Sequence, residues 1–596
     1  MSNQSPARGP MHQVPKVRAK NTGATIRRVW NYLNRQRSAL LMVYVFTILS
    51  SLIALMGPYL IGVTIDDYIV PRNYEGLIKI CLIMLGIHVI GALVTWVQAY
   101  VMTGLSQKTV LHLRKDLFAK YQQLPIPFFD QRSNGELMSR ATNDIENVSN
   151  TLNQSVTQLL NSIITLVGSL VIMISLNVPL TFVALLSIPL ALVATRNIAK
   201  FTRKYFKDQQ QHLGELNGMI EETISGQKVV KLYRQEGKEI HRFREISERL
   251  NQVGIKAQMM SGMMGPFMNV INNLSFALIA AVGGWLVFQD LTKVGIVVSF
   301  LSYSRQFGRP VSELANQYNM IQSAVAGAER VFEIMDMPSE YEGDRGKRVT
   351  ETRGAVSFNH VSFQYQPEKP ILRDISFEAM PGEKIALVGP TGAGKTSVVN
   401  LLTRFYDIED GVITIDNEDI RQIDKDHLRR LIGMVLQDAH VFSGTIRENI
   451  RFGKLDATDQ EVEQAAMLAN ADNFIKRLPM GYETLLSTEG SNLSHGQRQL
   501  LTIARAILAD PAILILDEAT SSVDTRTEMH IQEAMKLLMK GRTSFVIAHR
   551  LSTIQDADCI LYLEQGRLVE RGTHEELLAA KGPYYDLYHS QFHQVV

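Results

Sequence analysis

The run Gly389-Pro390-Thr391-Gly392-Ala393-Gly394-Lys395-Thr396 follows the strand-like Lys384-Ile385-Ala386-Leu387-Val388. This is the spacing of a phosphate-binding loop set between a strand and a helix. Glycines in such a loop let successive backbone N–H groups point at phosphate oxygens. Lys395 then reaches the β and γ phosphates, and Thr396 offers its hydroxyl to Mg²⁺. Gly389, Thr391, Gly392, Ala393, Gly394, Lys395, Thr396 and Ser397 form the nucleotide-binding set, with ATP and Mg²⁺ as the expected cofactors. Downstream, the apolar run 512–516 ends in Asp517-Glu518, which puts two carboxylates at the C-terminal edge of a buried parallel strand. Asp517 is placed to hold Mg²⁺ directly or through water, and Glu518 to position and polarise an attacking water. Alone, this pattern is equally a capped strand end; the phosphate loop in the same chain favours the chemical reading.

The elements that position these residues occupy only the second half of the chain. A hydrophobic fraction of 46% with mean hydropathy near zero averages an apolar first half with a soluble second half. The net charge of +2 gives no overall attraction for nucleic acid. The two cysteines, Cys81 and Cys559, form neither a disulfide framework nor a metal spacing and read as small buried residues. Residues 39–65, 80–107 and 257–289 are uncharged and long enough to cross a membrane. Residues 147–195 are uncharged for 49 positions, too long for one crossing, and a turn at Asn177-Val178-Pro179-Leu180 splits them into two helices. A sixth segment, 294–323, carries Arg305, Arg309 and Glu313, so it lines a cavity or runs beyond the bilayer.

Residues 1–37 hold eight basic residues, no acidic one and no apolar core, which is a cytosolic tail leading into an amphipathic helix at 26–33 rather than a signal peptide. A mitochondrial targeting segment is the alternative. The first short loop, 66–75, has three acidic residues against Arg72 alone, so charge asymmetry puts the N-terminus in the cytosol. Six crossings return the chain to that side. Residues 106–146 and 196–256 are long, charged and helix-compatible, and would extend the membrane helices about 30–45 Å at 1.5 Å per residue. The expected organisation is a tail and elbow helix at 1–36, a six-helix membrane domain at 37–325, a linker at 326–352 and an α/β nucleotide-binding domain at 353–596.

Leu493-Ser494-His495-Gly496-Gln497 resembles the signature of ATP-binding-cassette proteins, usually Leu-Ser-Gly-Gly-Gln, and precedes Asp517 as it does in that family. The resemblance covers the chain from the first helix to Gln594. It implies that Tyr365 stacks on adenine, that Gln437 is the Q-loop glutamine and contacts Mg²⁺, that Asp524 is the D-loop acid and that His549 is the switch histidine. Glu518, His549 and Gln437 would form the catalytic set. The membrane half resembles family exporters through Pro127-Phe128-Phe129-Asp130, Gly135-Glu136-Leu137-Met138-Ser139-Arg140 and Glu221-Glu222-Thr223-Ile224-Ser225-Gly226-Gln227. In exporters such loops form short coupling helices that seat on the ATPase domains.

The resemblance implies a half-transporter whose ATP lies between the phosphate loop of one subunit and the signature residues Ser494, His495, Gly496 and Gln497 of another. His495 departs from the family glycine, adding a side chain and, where glycine adopts positive φ, a backbone penalty. Intact Glu518 beside an altered signature favours a heterodimer with one competent and one slow site over a homodimer. The expected activity is ATP-driven export of amphipathic drug-like molecules or lipids across the cell membrane, both termini cytoplasmic. A lipid flippase is the nearest alternative, and an ATP-gated regulatory or channel-like protein the alternative from another class. Met259, Met260, Met263, Met264, Phe267 and Met268 either line the substrate path or pack helix on helix.

Overall fold

The computed structural model describes residues 21–343, 346–349, 352–487, 490–517, 525–548 and 554–592. Glu518, Asp524 and His549 lie outside these described residues. The chain divides into two compact units, one of residues 1–122 and 134–337, the other of 123–133 and 338–596.

The first unit is helical: α1 (Thr22–Asn34), α2 (Arg37–Val63), α3 (Tyr74–Tyr121), α5 (Asn134–Ser139), α6 (Ile145–Leu176), α7 (Val178–Leu185), α8 (Ser187–Ser225), α9 (Gln227–Leu232), α10 (Glu236–Gly262), α11 (Met264–Phe288) and α12 (Val294–Met335), with α4 (Ile126–Asp130) in the second unit. The long uncharged run breaks where its proline demands. Asn177 leaves the helix at φ −164° and its side chain accepts a hydrogen bond from Leu180 N–H (3.0 Å), capping α7 with Pro179 in the first turn.

Leu55, Met173, Leu180, Ile279, Phe300 and Tyr303 form a buried cluster joining α2, α6, α7, α11 and α12, and the Tyr303 hydroxyl donates to Leu55 O (2.6 Å). α2 and α12 approach so closely that a Cβ on Gly295 would lie 2.1 Å from the Gly62 carbonyl, so only glycine fits there. Farther along α12, Arg330 Nε donates to Asp144 (2.9 Å), whose side chain is only 8% exposed.

Helices occupy all six apolar segments, but the described residues contain four helical stretches long and apolar enough to cross a membrane: Arg37–Ile69, Tyr74–Tyr121, Asn134–Leu176 and Glu236–Phe288. The fourth apolar segment is divided between α7 and α8, and the sixth carries its charges within α12. The expectation that both cysteines are buried holds only for Cys559. Cys81 is exposed because it lies on α3, whose outward side also presents Leu82, Leu85 and Trp96. A span facing hydrocarbon needs no burial of such residues within its own chain.

The second unit contains β1 (Val356–Gln366), β2 (Lys369–Ala379), β3 (Lys384–Val388), β4 (Asp410–Ile415), β5 (Glu418–Asp419), β6 (Ile432–Val435), β7 (Gly444–Thr445), β8 (Leu485–Leu486), β9 (Ile513–Asp517), β10 (Thr543–Ile547), β11 (Cys559–Glu564) and β12 (Arg567–Gly572). Among the described residues these form an antiparallel sheet in the order β2-β1-β4-β5 and a larger sheet in the order β12-β11-β3-β10-β9-β6, with β7 and β8 paired apart. β11, β3, β10, β9 and β6 run parallel, and β12 is an antiparallel edge. Its helices are α13 (Lys395–Leu402), α14 (Lys425–Leu431), α15 (Ile446–Arg451), α16 (Asp459–Leu468), α17 (Asp472–Ile475), α18 (His495–Ala509), α19 (Thr525–Met539), α20 (His574–Ala580) and α21 (Pro583–Phe592).

Among the described residues, two large apolar cores and a smaller cluster around Val388, Ile560 and Tyr584 hold this unit. One large core lies between the two sheets and α13, centred on Phe358, Leu387, Leu401 and Phe545; the other unites α15 to α19 with one face of β9, through Ile446, Ile475, Leu501 and Leu516. Strands β3, β9 and β10 are buried along nearly their whole length, which is why they read as continuous apolar runs rather than alternating ones.

Candidate active site

β3 delivers the chain into the phosphate loop, and α13 leaves it. The loop glycines are required by geometry. Gly389 has φ +145° and a Cβ there would sit 2.0 Å from the Leu563 carbonyl; Gly394, at φ +104°, would collide with the Leu372 side chain at 2.6 Å. Gly392 has φ +84°. Ala393 turns its methyl into the core, while Thr391 and Thr396 are exposed. The Lys395 side chain folds back over the loop and donates to the carbonyls of Gly389 (2.7 Å) and Pro390 (3.0 Å). Burial pushes its ammonium below the ordinary lysine range, and the charge of Asp517 opposes that shift. A buried cation inside a glycine cradle fits the phosphates of a nucleotide.

Strand register brings Asp517 to the same level. Leu387 pairs with Ile547 and Ile547 with Asp517, so the acid emerges two strands from the loop, across β10, at the C-terminal edge of the parallel sheet, where such sheets bind ligands. Gln437 follows the edge strand β6, which pairs with β9 through Val435 and Leu516, and is exposed at that same edge. Thr396, Asp517 and Gln437 thus offer oxygen donors suited to Mg²⁺.

Tyr365 ends on the same side. Its hydroxyl lies 3.1 Å from Ser397 Oγ and accepts from Asn400 Nδ2 (3.2 Å), which anchors the ring beside α13. Phe363 and Tyr406 each pack edge-on with the ring at 4.8 Å, and Tyr365 remains 39% exposed.

The signature residues stand elsewhere. Ser494 caps α18 in a reciprocal pair: Gln497 N–H donates to Ser494 Oγ (3.2 Å), and Ser494 N–H donates to Gln497 Oε1 (2.9 Å). The result is an exposed N-terminus of a 15-residue helix, an anion-binding end, and Gly496 is buried behind it. Among the described residues, none of these side chains bonds to the phosphate loop of its own chain. His495 corrects the expectation of a backbone penalty: it is the first helical residue of α18 and is not among the positive-φ residues, so any side chain is tolerated by its backbone. What it adds is the imidazole, whose Nδ1 is out of contact with water and has no partner among the described residues.

Contacts around α4 escaped the sequence reading. The Tyr406 hydroxyl donates to Asp130 (2.5 Å), and burial, then the Asp130 carboxylate, push that phenol above its ordinary range. Tyr406 in turn packs on Tyr365, so α4 touches the ring beside the nucleotide loop. Glu340 is a second missed centre. Its carboxylate is bonded by Arg429 and lies 3.9 Å from Lys425 Nζ, while Glu340 N–H donates to Gln123 O (2.7 Å). Only the Pro-Phe-Phe-Asp motif pointed toward these contacts; nothing in the sequence singles out Tyr406 or Glu340.

Comparison with known proteins matches both parts of the chain. Residues 40–311 fit the model of the ABC transporter transmembrane region, and residues 372–521 fit the model described as ABC transporter. An uncharacterized ABC transporter ATP-binding protein, YfiC of Bacillus subtilis, is 49% identical over 97% of this chain and 96% of its own length. A fatty acid ABC transporter ATP-binding/permease protein of Mycobacterium bovis is 46% identical over 84% of this chain and 80% of its own, and an ATP-dependent lipid A-core flippase of Syntrophus aciditrophicus is 38% identical over 90% and 89%. With a glycine-cradled lysine, an acid at a strand end of the same sheet and a membrane unit ahead of them, the chain belongs to the ATP-binding-cassette transporter family and is a membrane protein whose ATPase activity is coupled to transport.

Proposed function

We propose that this chain is one subunit of a dimeric exporter of lipid-like amphipathic molecules at the cell membrane. One observation carries the dimer: among the described residues, the loop that cradles phosphate and the helix cap that would complete the site share no hydrogen bond. Two subunits arranged head to tail would each place Ser494 and the N-terminus of α18 against the partner's nucleotide. Relatives named for fatty acids and lipid A support amphiphiles as cargo.

In this reading Lys395 and the loop N–H groups bind the β and γ phosphates, Tyr365 stacks on the base, and Thr396, Asp517 and Gln437 hold Mg²⁺. The metal, when bound, neutralises phosphate charge. Glu518 orients the attacking water and accepts its proton, His549 contacts the transferring phosphate, and Asp524 faces the partner. Closure of the two ATPase units pulls on α4 and α9, and hydrolysis releases them.

The partner is a different chain in this proposal, because the His495 imidazole occupies the nucleotide-facing end of α18 where glycine leaves room. A homodimer acting as a lipid flippase is the second reading. The test is vesicle transport with wild type and Glu518→Gln, for the chain alone and together with a second half-transporter. Loss of transport with retained ATP binding supports the pump; flux that survives Glu518→Gln would identify an ATP-gated channel instead. Full transport-coupled ATPase by the chain expressed alone would overturn the heterodimer.

A further inference from the structure

Arg305 lies about 16 Å along α12 from Val294, counting 1.5 Å per residue, which is near the middle of a hydrocarbon layer about 30 Å thick. Asp290 and Lys293 mark the end of the span at which α12 begins. The guanidinium is exposed on the surface of this unit and stacks over the ring of Phe276 on α11, 5.0 Å from its centroid. Ser275 and Ser304 join the same two helices with hydroxyls 3.3 Å apart. Among the described residues no carboxylate is paired with Arg305, although arginine is charged at every accessible pH.

An exposed, unpaired guanidinium at this depth is too far from either headgroup layer to snorkel, and facing lipid tails would be strongly unfavourable. In a dimer it therefore faces the space between the two subunits rather than lipid. Phe276 supplies an apolar plane under the cation, and 37% of that residue remains exposed for an acyl chain. Gln306, the next residue, keeps a side-chain oxygen that is shielded from water and has no hydrogen-bond partner among the described residues. Pro310, lacking an N–H, leaves the Gln306 carbonyl without its helical donor as well. The site combines one fixed positive charge with an aromatic face.

We propose that Arg305 is the headgroup-recognition residue of the translocation cavity and that the transported molecule is an anionic amphiphile, its carboxylate or phosphate bound by the guanidinium and its chain laid along Phe276. This rests on the exporter reading above and adds the charge class of the cargo. Arginine suits the role because its planar fork binds either oxyanion bidentately.

The test uses the full-length dimer in nanodiscs and equilibrium binding of palmitate, hexadecanol and hexadecylamine, with a second arm of phosphatidic acid against diacylglycerol. Wild type should bind palmitate or phosphatidic acid at least about tenfold more tightly than its neutral counterpart, the ratio expected for a hydrogen-bonded charge contact. The preferred arm separates a carboxylate from a phosphate cargo. Arg305→Gln should erase that preference by weakening only the anionic ligand, and Arg305→Lys should restore part of it. Equal binding of acid and alcohol by wild type, or a preference unchanged in Arg305→Gln, would overturn the assignment while leaving amphiphile export intact. Binding of none of the five ligands would overturn both. Dissociation of the dimer in Arg305→Gln, read by light scattering, would instead assign the arginine to the subunit contact.

Discussion

Replacing Glu340 with Gln removes one negative charge from a nearly closed site while keeping its shape. The carboxylate is only 6% exposed and Arg429 24% exposed, so the guanidinium would lose the carboxylate that bonds it, while Lys425 keeps its bond to the Glu340 carbonyl (3.1 Å). Removing one partner of a buried pair costs about 3–5 kcal/mol. Arg429 retains the Arg404 carbonyl (3.2 Å) and the Phe405 ring, and it is partly solvated, which brings the expected loss to about 3 kcal/mol. For a unit of this size that corresponds to a fall in unfolding midpoint of about 6–12 °C. Scanning calorimetry of the full-length protein in nanodiscs, following the ATPase-unit transition, measures it. The double variant Glu340→Gln/Arg429→Leu should lose less than the sum of the two single changes, because the stranded charge is then gone. A midpoint within 1 °C of wild type, or strict additivity in the double variant, would refute the claim that this ion cluster clamps the segment before β1 onto α14.

Three further outcomes are expected. Lys395→Ala should lower ATP turnover by about 10²-fold or more in a phosphate-release assay, since a preorganised charge at the transferring phosphate disappears. Tyr406→Phe breaks the phenol–Asp130 bond that holds α4, worth about 1 kcal/mol for a part-exposed contact, so trypsin should cleave after Arg132 about fivefold faster than in wild type. His574, hydrogen-bonded to the Tyr584 hydroxyl at 2.7 Å, has its pKa lowered by burial, with Glu575 opposing. The unfolded chain therefore binds the proton more readily than the folded one. The stability from the neutral ring is full above about pH 6.5 and declines as pH falls below that value. His574→Phe should flatten this decline in denaturation curves between pH 7.5 and 5.5.

The phosphate loop was legible before any fold was known because its chemistry is local: glycines, a lysine and a hydroxyl must follow one another at fixed spacing for backbone N–H groups to converge. The same holds for the break at Asn177-Val178-Pro179, which follows from proline's own covalent limits, and for Asp517 at the end of an apolar run. Apolar length also located the membrane half, although α12 shows that composition cannot say which side of a helix its charges face. What required tertiary structure were relations between distant positions. That Gly389 is needed for the Leu563 carbonyl, that Tyr406 binds Asp130, and that Glu340 gathers Arg429, Lys425 and Gln123 are outcomes of packing, in which a side chain's partner is chosen by folded proximity. His495 shows the converse: the sequence marked it as unusual, yet only the helix geometry revealed that its backbone is unstrained and that the imidazole alone is the change.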